Sequence, residues 1–140
     1  MNLVIDASVI IKWVLNEPAI EPDTAAALSL LQALETGDHN IFEPPHWIGE
    51  VLAVIARKSI PLVPGAIAQL RAIGAEIVAD DAMYLRAADM SDRLKHHMFD
   101  TLYHAVALEH GATLVTADQR YFNVAINEGA IVRLRDFKTT

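Results

Sequence analysis

Two short apolar runs of this chain end on an aspartate: Leu3-Val4-Ile5 runs into Asp6, and Leu114-Val115-Thr116-Ala117 into Asp118. A carboxylate at the margin of a core costs several kcal/mol unless it is hydrogen-bonded, paired or bound to a cation. Two further acids stand beside apolar positions. Glu50 lies three residues after Trp47 and four before Val54, on a helical row whose neighbours face inward. Asp100 opens a stretch, 100–111, that is apolar nearly all round. Four carboxylates on separate elements are a donor set for a hard divalent cation: oxygen ligands on a rigid frame, with positions left for water and a phosphate.

Taken singly, each acid has a plainer reading. Asp6, Asp100 and Asp118 can each cap the helix that follows, and Glu50 can snorkel to solvent. Capping leaves unexplained why two strands end alike while a third element offers a glutamate beside its apolar stripe. The joint reading therefore depends on convergence, which the elements must provide.

Residues 3–5 read as a buried strand, and 8–16 as a helix with Val9, Ile10, Trp13 and Val14 at helical spacing, stopped by Glu17-Pro18. Asp23 or Thr24 caps a second helix that runs to Gly37. Residues 40–45 are extended, and 46–59 form a third helix striped by Trp47, Val51, Val54 and Ile55. Beyond Pro61 and Pro64 come a short helix (65–74), a brief strand (76–79) ended by Asp80-Asp81, and a helix with a polar face (80–97). The apolar helix 100–111 belongs at the centre, followed by a strand (113–118), a last helix (119–129) and a last strand (131–134). Short strands alternating with helices predict an α/β/α sandwich around a mainly parallel sheet, in one domain spanning 1–140. In such sheets ligands bind beyond the carboxyl ends of the strands, where the winding direction reverses. Asp6 and Asp118 sit at such ends.

The bulk composition narrows the function. There is no cysteine, which removes disulfides, thiolate metal sites and cysteine nucleophiles. The amino terminus enters the first strand without a charged or cleavable leader, so a cytoplasmic location is expected. No apolar run reaches the ~20 residues a membrane helix needs. The net charge of −7 argues against a nucleic-acid partner unless bound cations supply the attraction to phosphate. No Gly-rich phosphate loop and no G-x-S-x-G elbow is present.

Other polar residues are less promising. Asp80-Asp81 reads as a helix cap on an edge strand. His46, His96, His97, His104 and His110 lack ligand spacing, although His104, one turn from Asp100, is placed to hydrogen-bond it. Glu17 and Glu43 border prolines as loop charges, with Glu43 a reserve ligand.

Four segments, "VIDASVIIKWVLNEP" (4–18), "PPHWIGEVLAVI" (44–55), "FDTLYHAVALEHGATLVTAD" (99–118) and the "QRYF" after it, together resemble the PIN-domain family, and most closely its VapC-type toxin ribonucleases. They follow the family order across nearly the whole chain. The resemblance implies a five-stranded parallel sheet flanked by helices and an acidic pocket for Mg²⁺, with Mn²⁺ as substitute. Asp6, Glu50, Asp100 and Asp118 map to its metal-binding and catalytic acids, and Ser8 and Thr116 to hydroxyls beside the pocket. Phe99 and Thr101 stand where such toxins often carry Tyr and Ala.

The implied reaction is metal-assisted hydrolysis of an RNA phosphodiester, with Asp100 or Asp118 able to take a proton. Lys12, Arg57, Lys58 and Arg120 are candidates for a basic rim. The implied partners are a VapB-type antitoxin covering the pocket and a second copy of the chain, through the first helix and the segment 43–51. Trp13 and Trp47 suit either that interface or the core. Two rivals remain: a PIN-like fold that only binds, and a phosphoryl-accepting signalling domain. The latter carries an acidic pair after its first strand and a lysine after its last pocket strand, where this chain has Asp6 alone and Thr116-Ala117-Asp118.

Overall fold

The computed structural model describes residues 1–17 and 23–138. Five short strands, β1 (Asn2–Ile5), β2 (Asn40–Glu43), β3 (Glu76–Ile77), β4 (Thr113–Thr116) and β5 (Ile131–Arg133), form one sheet in the order β3-β2-β1-β4-β5. All four pairings are parallel. The chain winds outward from β1 through β2 to β3, then returns to lay β4 and β5 on the other side of β1. The winding reverses between β1 and β4, where the expected aspartates stand.

Seven α-helices flank this sheet among the described residues: α1 (Ala7–Leu15), α2 (Thr24–Thr36), α3 (Trp47–Lys58), α4 (Val63–Ala72), α5 (Asp81–Leu94), α6 (Met98–Glu109) and α7 (Gln119–Ala125). Parallel strands are joined by right-handed crossovers as a rule, which puts the helices before and after the reversal on opposite faces. α1 packs on α2 and α3, and α3 on α4; α6 lies along β1, β2 and β4 with α5 against it. The expected α/β/α sandwich is the one observed.

Burial follows the hydrophobic pattern. Leu3, Val4 and Ile5 are closed to solvent, as is α6 from Thr101 to Ala107, so this helix is central as its composition requires. Trp13 and Trp47 are both core residues, and Trp13 Nε1 donates to Ala27 O at 2.6 Å, tying α1 to α2. Asp80 caps α5, accepting from Met83 N at 2.9 Å, at the edge strand as expected.

The ends of elements shift for local reasons. α1 stops at Leu15 because Asn16 turns left-handed (φ 48°); Pro18, the expected stop, lies outside the described residues. α5 ends at Leu94, short of 97, because Lys95 takes a left-handed conformation (φ 52°) that redirects the chain. α6 begins at Met98, so Asp100 lies within its first turn and does not open it. The last helix gives way to a 3₁₀ turn at Ile126–Glu128.

Thr101, one of the two departures from the family pattern, joins α6 to α5: its hydroxyl lies 2.8 Å from Ala87 O and 3.1 Å from Met98 O, fully buried. Thr101→Val keeps the shape and removes this donor. It is expected to lower stability by about 1 kcal/mol in urea denaturation. An unchanged midpoint would show that the hydroxyl does not hold the two helices together.

Candidate active site

Asp6 follows β1 and precedes α1, with its backbone in an extended conformation and its carbonyl accepting from Val9 N at 3.0 Å. Its side chain makes no cap to α1. Oδ2 instead accepts from Ser8 Oγ (2.8 Å) and from Thr116 Oγ1 (2.7 Å) on β4. Each hydroxyl is itself fixed by a backbone amide beyond β4: Ala117 N donates to Ser8 Oγ and Asp118 N to Thr116 Oγ1, both at 3.0 Å. Two relays therefore run from the end of β4 through a hydroxyl to one carboxylate oxygen. The hydroxyl positions implied by the resemblance lie beside Asp6.

Asp118 does cap its helix. Oδ1 accepts from Tyr121 N at 3.0 Å at the start of α7. Capping and site membership, alternatives in the sequence, coexist here. Asp100 Oδ2 meets His96 Nε2 at 2.8 Å. Glu50, in the first turn of α3, accepts at Oε1 from Tyr103 OH (3.2 Å) and faces His46 Nε2 at 3.6 Å through Oε2.

These elements bring all four expected acids together. Asp6, Glu50 and Asp100 each offer an oxygen within 4.8 Å of the others, and so do His96, Asp100 and Asp118 with one ligand atom each. Asp100 belongs to both groups. Among the described residues, the ion pairs made by these acids involve only histidines.

The electrostatics follow from crowding and burial. Burial pushes the Asp6 carboxyl up to about 6; the Thr116 and Ser8 hydroxyls oppose this, and the charges of Asp100 and Glu50 add to it. Burial also raises Asp100, against the pull of His96. Carboxylates this close repel unless a proton or cation lies among them. Oxygen donors with a single imidazole, on a rigid sheet edge, fit a divalent cation.

Beneath the site, Glu43 departs from expectation. It is no loop charge but the last residue of β2, on the same strand face as Ile41 and fully buried. The β1–β2 register ends at Leu3 and Ile41, after which β2 turns its pairing to β3 from Phe42 onward. Glu43 Oε1 fills the resulting gap, accepting from Ile5 N at 2.7 Å, one residue before Asp6. Burial holds its carboxyl well above the usual range, with the Asp6 and Glu50 charges adding. Its period-two spacing from Ile41 was the available signal.

His104 is a second correction. It does not reach Asp100: Nε2 lies 2.7 Å from Gly129 O and Nδ1 2.9 Å from Tyr121 OH. A carbonyl only accepts, so Nε2 carries the proton and the Tyr121 hydroxyl donates to Nδ1. Burial lowers the His104 pKa and so favours this neutral form. The Tyr121 ring in turn packs edge-on against His96, centroids 4.8 Å apart, which steadies the Asp100 partner.

His96, set aside in the sequence for lack of ligand spacing, lies beside Asp100, and its signal was the i, i+4 spacing across the break after α5. Of the basic-rim candidates, Lys12 is buried within α1. Arg57 and Lys58 are exposed but sit roughly 10 Å along α3 from Glu50, at its far end. Arg120 is exposed two residues from Asp118.

Two solved structures share the fold. One is VapBC2 from Rickettsia felis bound to a DNA fragment from its promoter: TM-score 0.67, 14% identity, over 95% of this chain and 98% of that one. The other is FitAB bound to an IR36 DNA fragment: TM-score 0.59, 17% identity, over 97% of each chain. No curated protein matches. The family model of the PIN domain matches residues 3–127, nearly the full length, and with the sheet order and the gathered acids it settles the assignment: the chain belongs to the PIN domain family.

Proposed function

We propose that this PIN domain is a divalent-metal-dependent endoribonuclease, the toxin of a VapBC-type toxin–antitoxin pair, with Asp6, Glu50, Asp100 and Asp118 as its metal-binding and catalytic residues. The observation that carries this reading is the pair of three-residue groups sharing Asp100, one of them including Asp6 and Glu50, the other His96 and Asp118. A divalent ion in this set, Mg²⁺ or Mn²⁺, supplies positive charge for a scissile phosphodiester and makes water more acidic. It also meets the objection raised by the net charge of −7.

The chain's own residues have distinct tasks. Asp6 is held by the Ser8 and Thr116 hydroxyls, so its carboxylate stays near Glu50 and Asp100 with little freedom. Asp118 caps its helix through Oδ1 and offers one oxygen to the group it forms with His96 and Asp100. Asp100, whose carboxyl burial raises, is suited to accept a proton, with His96 Nε2 2.8 Å from its Oδ2. Hydrolysis of this kind uses no 2′-hydroxyl nucleophile, so preference for RNA must come from binding.

The likeness to VapBC2, over 95% of this chain, supports a VapB-type antitoxin as partner. We extend the reading to a homodimer and a cytoplasmic location, with one domain across 1–140. Since Trp13 and Trp47 are buried, a dimer would form through other residues. Among the described residues no helix is long and apolar enough to cross a membrane.

Asp6→Asn keeps the hydrogen-bonding shape and removes one ligand charge. It is expected to fold, to lose Mn²⁺-dependent cleavage of RNA by roughly 100-fold or more, and to lose most of the thermal stabilisation by Mn²⁺. Wild-type cleavage by the purified variant contradicts the assignment. A wild-type protein that Mn²⁺ fails to stabilise favours the binding-only reading.

The pH dependence has a definite sign. The Asp6 carboxyl titrates higher in the fold than its ordinary 3.8, so the protonated form suits the fold. Without metal, that contribution is complete below about pH 4 and is lost as pH rises through about 6, on the order of 3 kcal/mol. Surface Asp80 and Glu128 shift the opposite way, so the comparison is made against Asp6→Asn. In EDTA, wild type should lose stability relative to the variant between pH 4 and 7 in chemical denaturation, and Mn²⁺ should restore more at pH 7.5 than at pH 5. A flat difference across this range would remove the electrostatic argument.

A further inference from the structure

An open groove of about 430 Å³ lies beside the acids, lined by Pro45, His46, Gly49, Glu50, Ala53 and Phe99. Glu50 belongs to both the groove and the acid cluster, and Phe99 immediately precedes Asp100. We propose that this groove receives a base of the RNA strand, adjoining the phosphate held at the acids, with Phe99 as its stacking platform. The inference rests on the ribonuclease reading and names where that substrate binds.

Phe99 is 52% exposed beside the acids, yet its ring is held in place. His46 stacks on it with centroids 5.0 Å apart and planes at 28°, and His97 packs at 5.0 Å and 55°. His46 Nε2 also lies 3.0 Å from Phe99 O, tying the start of α3 to the first turn of α6. His46 is itself edged by Tyr103, which reaches Glu50, so the aromatic group and the acid cluster form one framework. A pre-positioned ring loses little freedom when a ligand stacks on it.

The floor of the groove is low because its residues are small. Gly49 and Ala53 are exposed one turn apart on α3, and a Cβ at Gly49 would meet nothing within 4 Å. Space, a flat aromatic wall and an adjacent acid cluster complement a heteroaromatic ring joined to a phosphate. The charge balance points the same way. With a net charge of −7, Arg57 and Lys58 at the far end of α3 and Arg120 as the basic-rim candidate beside the acids, stacking adds to the affinity that phosphate contacts supply. Bases of unpaired RNA are bound in this manner on aromatic side chains.

The test uses the full chain with Ca²⁺ in place of Mg²⁺ to hold the strand uncut, and a single-stranded RNA carrying 2-aminopurine as probe. Wild type is expected to bind and quench the probe. Phe99→Ala should bind roughly tenfold more weakly and lose the quenching, with its Mn²⁺-induced thermal shift retained, while Phe99→Tyr restores both binding and quenching. Wild-type affinity and quenching in Phe99→Ala overturn the proposal. So does a variant that keeps RNA binding but no longer binds an antitoxin, which would make the groove a protein-docking surface. If wild type neither binds nor cuts RNA while Mn²⁺ still stabilises it, the ribonuclease reading itself fails, a result no Phe99 variant can produce.

Discussion

Mutual repulsion among carboxylates that the fold refuses to let separate is the constraint on which this structure depends. Asp6 cannot swing away, because Ser8 and Thr116 hold its Oδ2 and are themselves held by the amides of Ala117 and Asp118. Asp118 cannot leave without uncapping α7. The frame thus maintains negative charge in one place against its own electrostatics, and burial sharpens the effect by pushing Asp6 and Asp100 upward. Such an arrangement costs stability unless protons or cations relieve it, and active sites are where proteins keep arrangements of this kind.

The sheet makes the convergence possible. β1 and β4 are neighbours with Ile5 opposite Val115, so both chain segments leave the sheet at the same edge. α3 and α6 come from opposite sides of the winding reversal and bring Glu50 and Asp100 to that edge from their first turns. Glu43 adds a further support: where β2 parts from β1 to pair with β3, its side chain replaces the missing ladder bond at Ile5. A buried acid thereby secures the residue before Asp6, and behind Asp100 the contacts from His104 through Tyr121 to His96 support its partner.

Much of this was legible from residue order. The apolar runs ending on Asp6 and Asp118 marked the strand ends, the all-round apolar stretch from 100 marked the central helix, and the joint reading of the four acids found the cluster. The remainder was set by tertiary contacts that sequence distance conceals. His96 becomes a partner of Asp100 only because Lys95 turns left-handed between two helices. Glu43 looked like a loop charge beside prolines, and its burial depends on where β2 changes partner. His104 faces Gly129 and Tyr121 because of how the last 3₁₀ turn returns to α6, which the spacing to Asp100 could not reveal.

The central claim, that these side chains form one cation-filled site, is tested most directly by crystals soaked in Mn²⁺ and measured for anomalous scattering. The account predicts a peak bounded by Asp6, Glu50 and Asp100 oxygens at about 2.0–2.6 Å, on the Asp100 side shared with His96 and Asp118. No peak there, or the four carboxylates turned apart and paired to lysine or arginine, would contradict it.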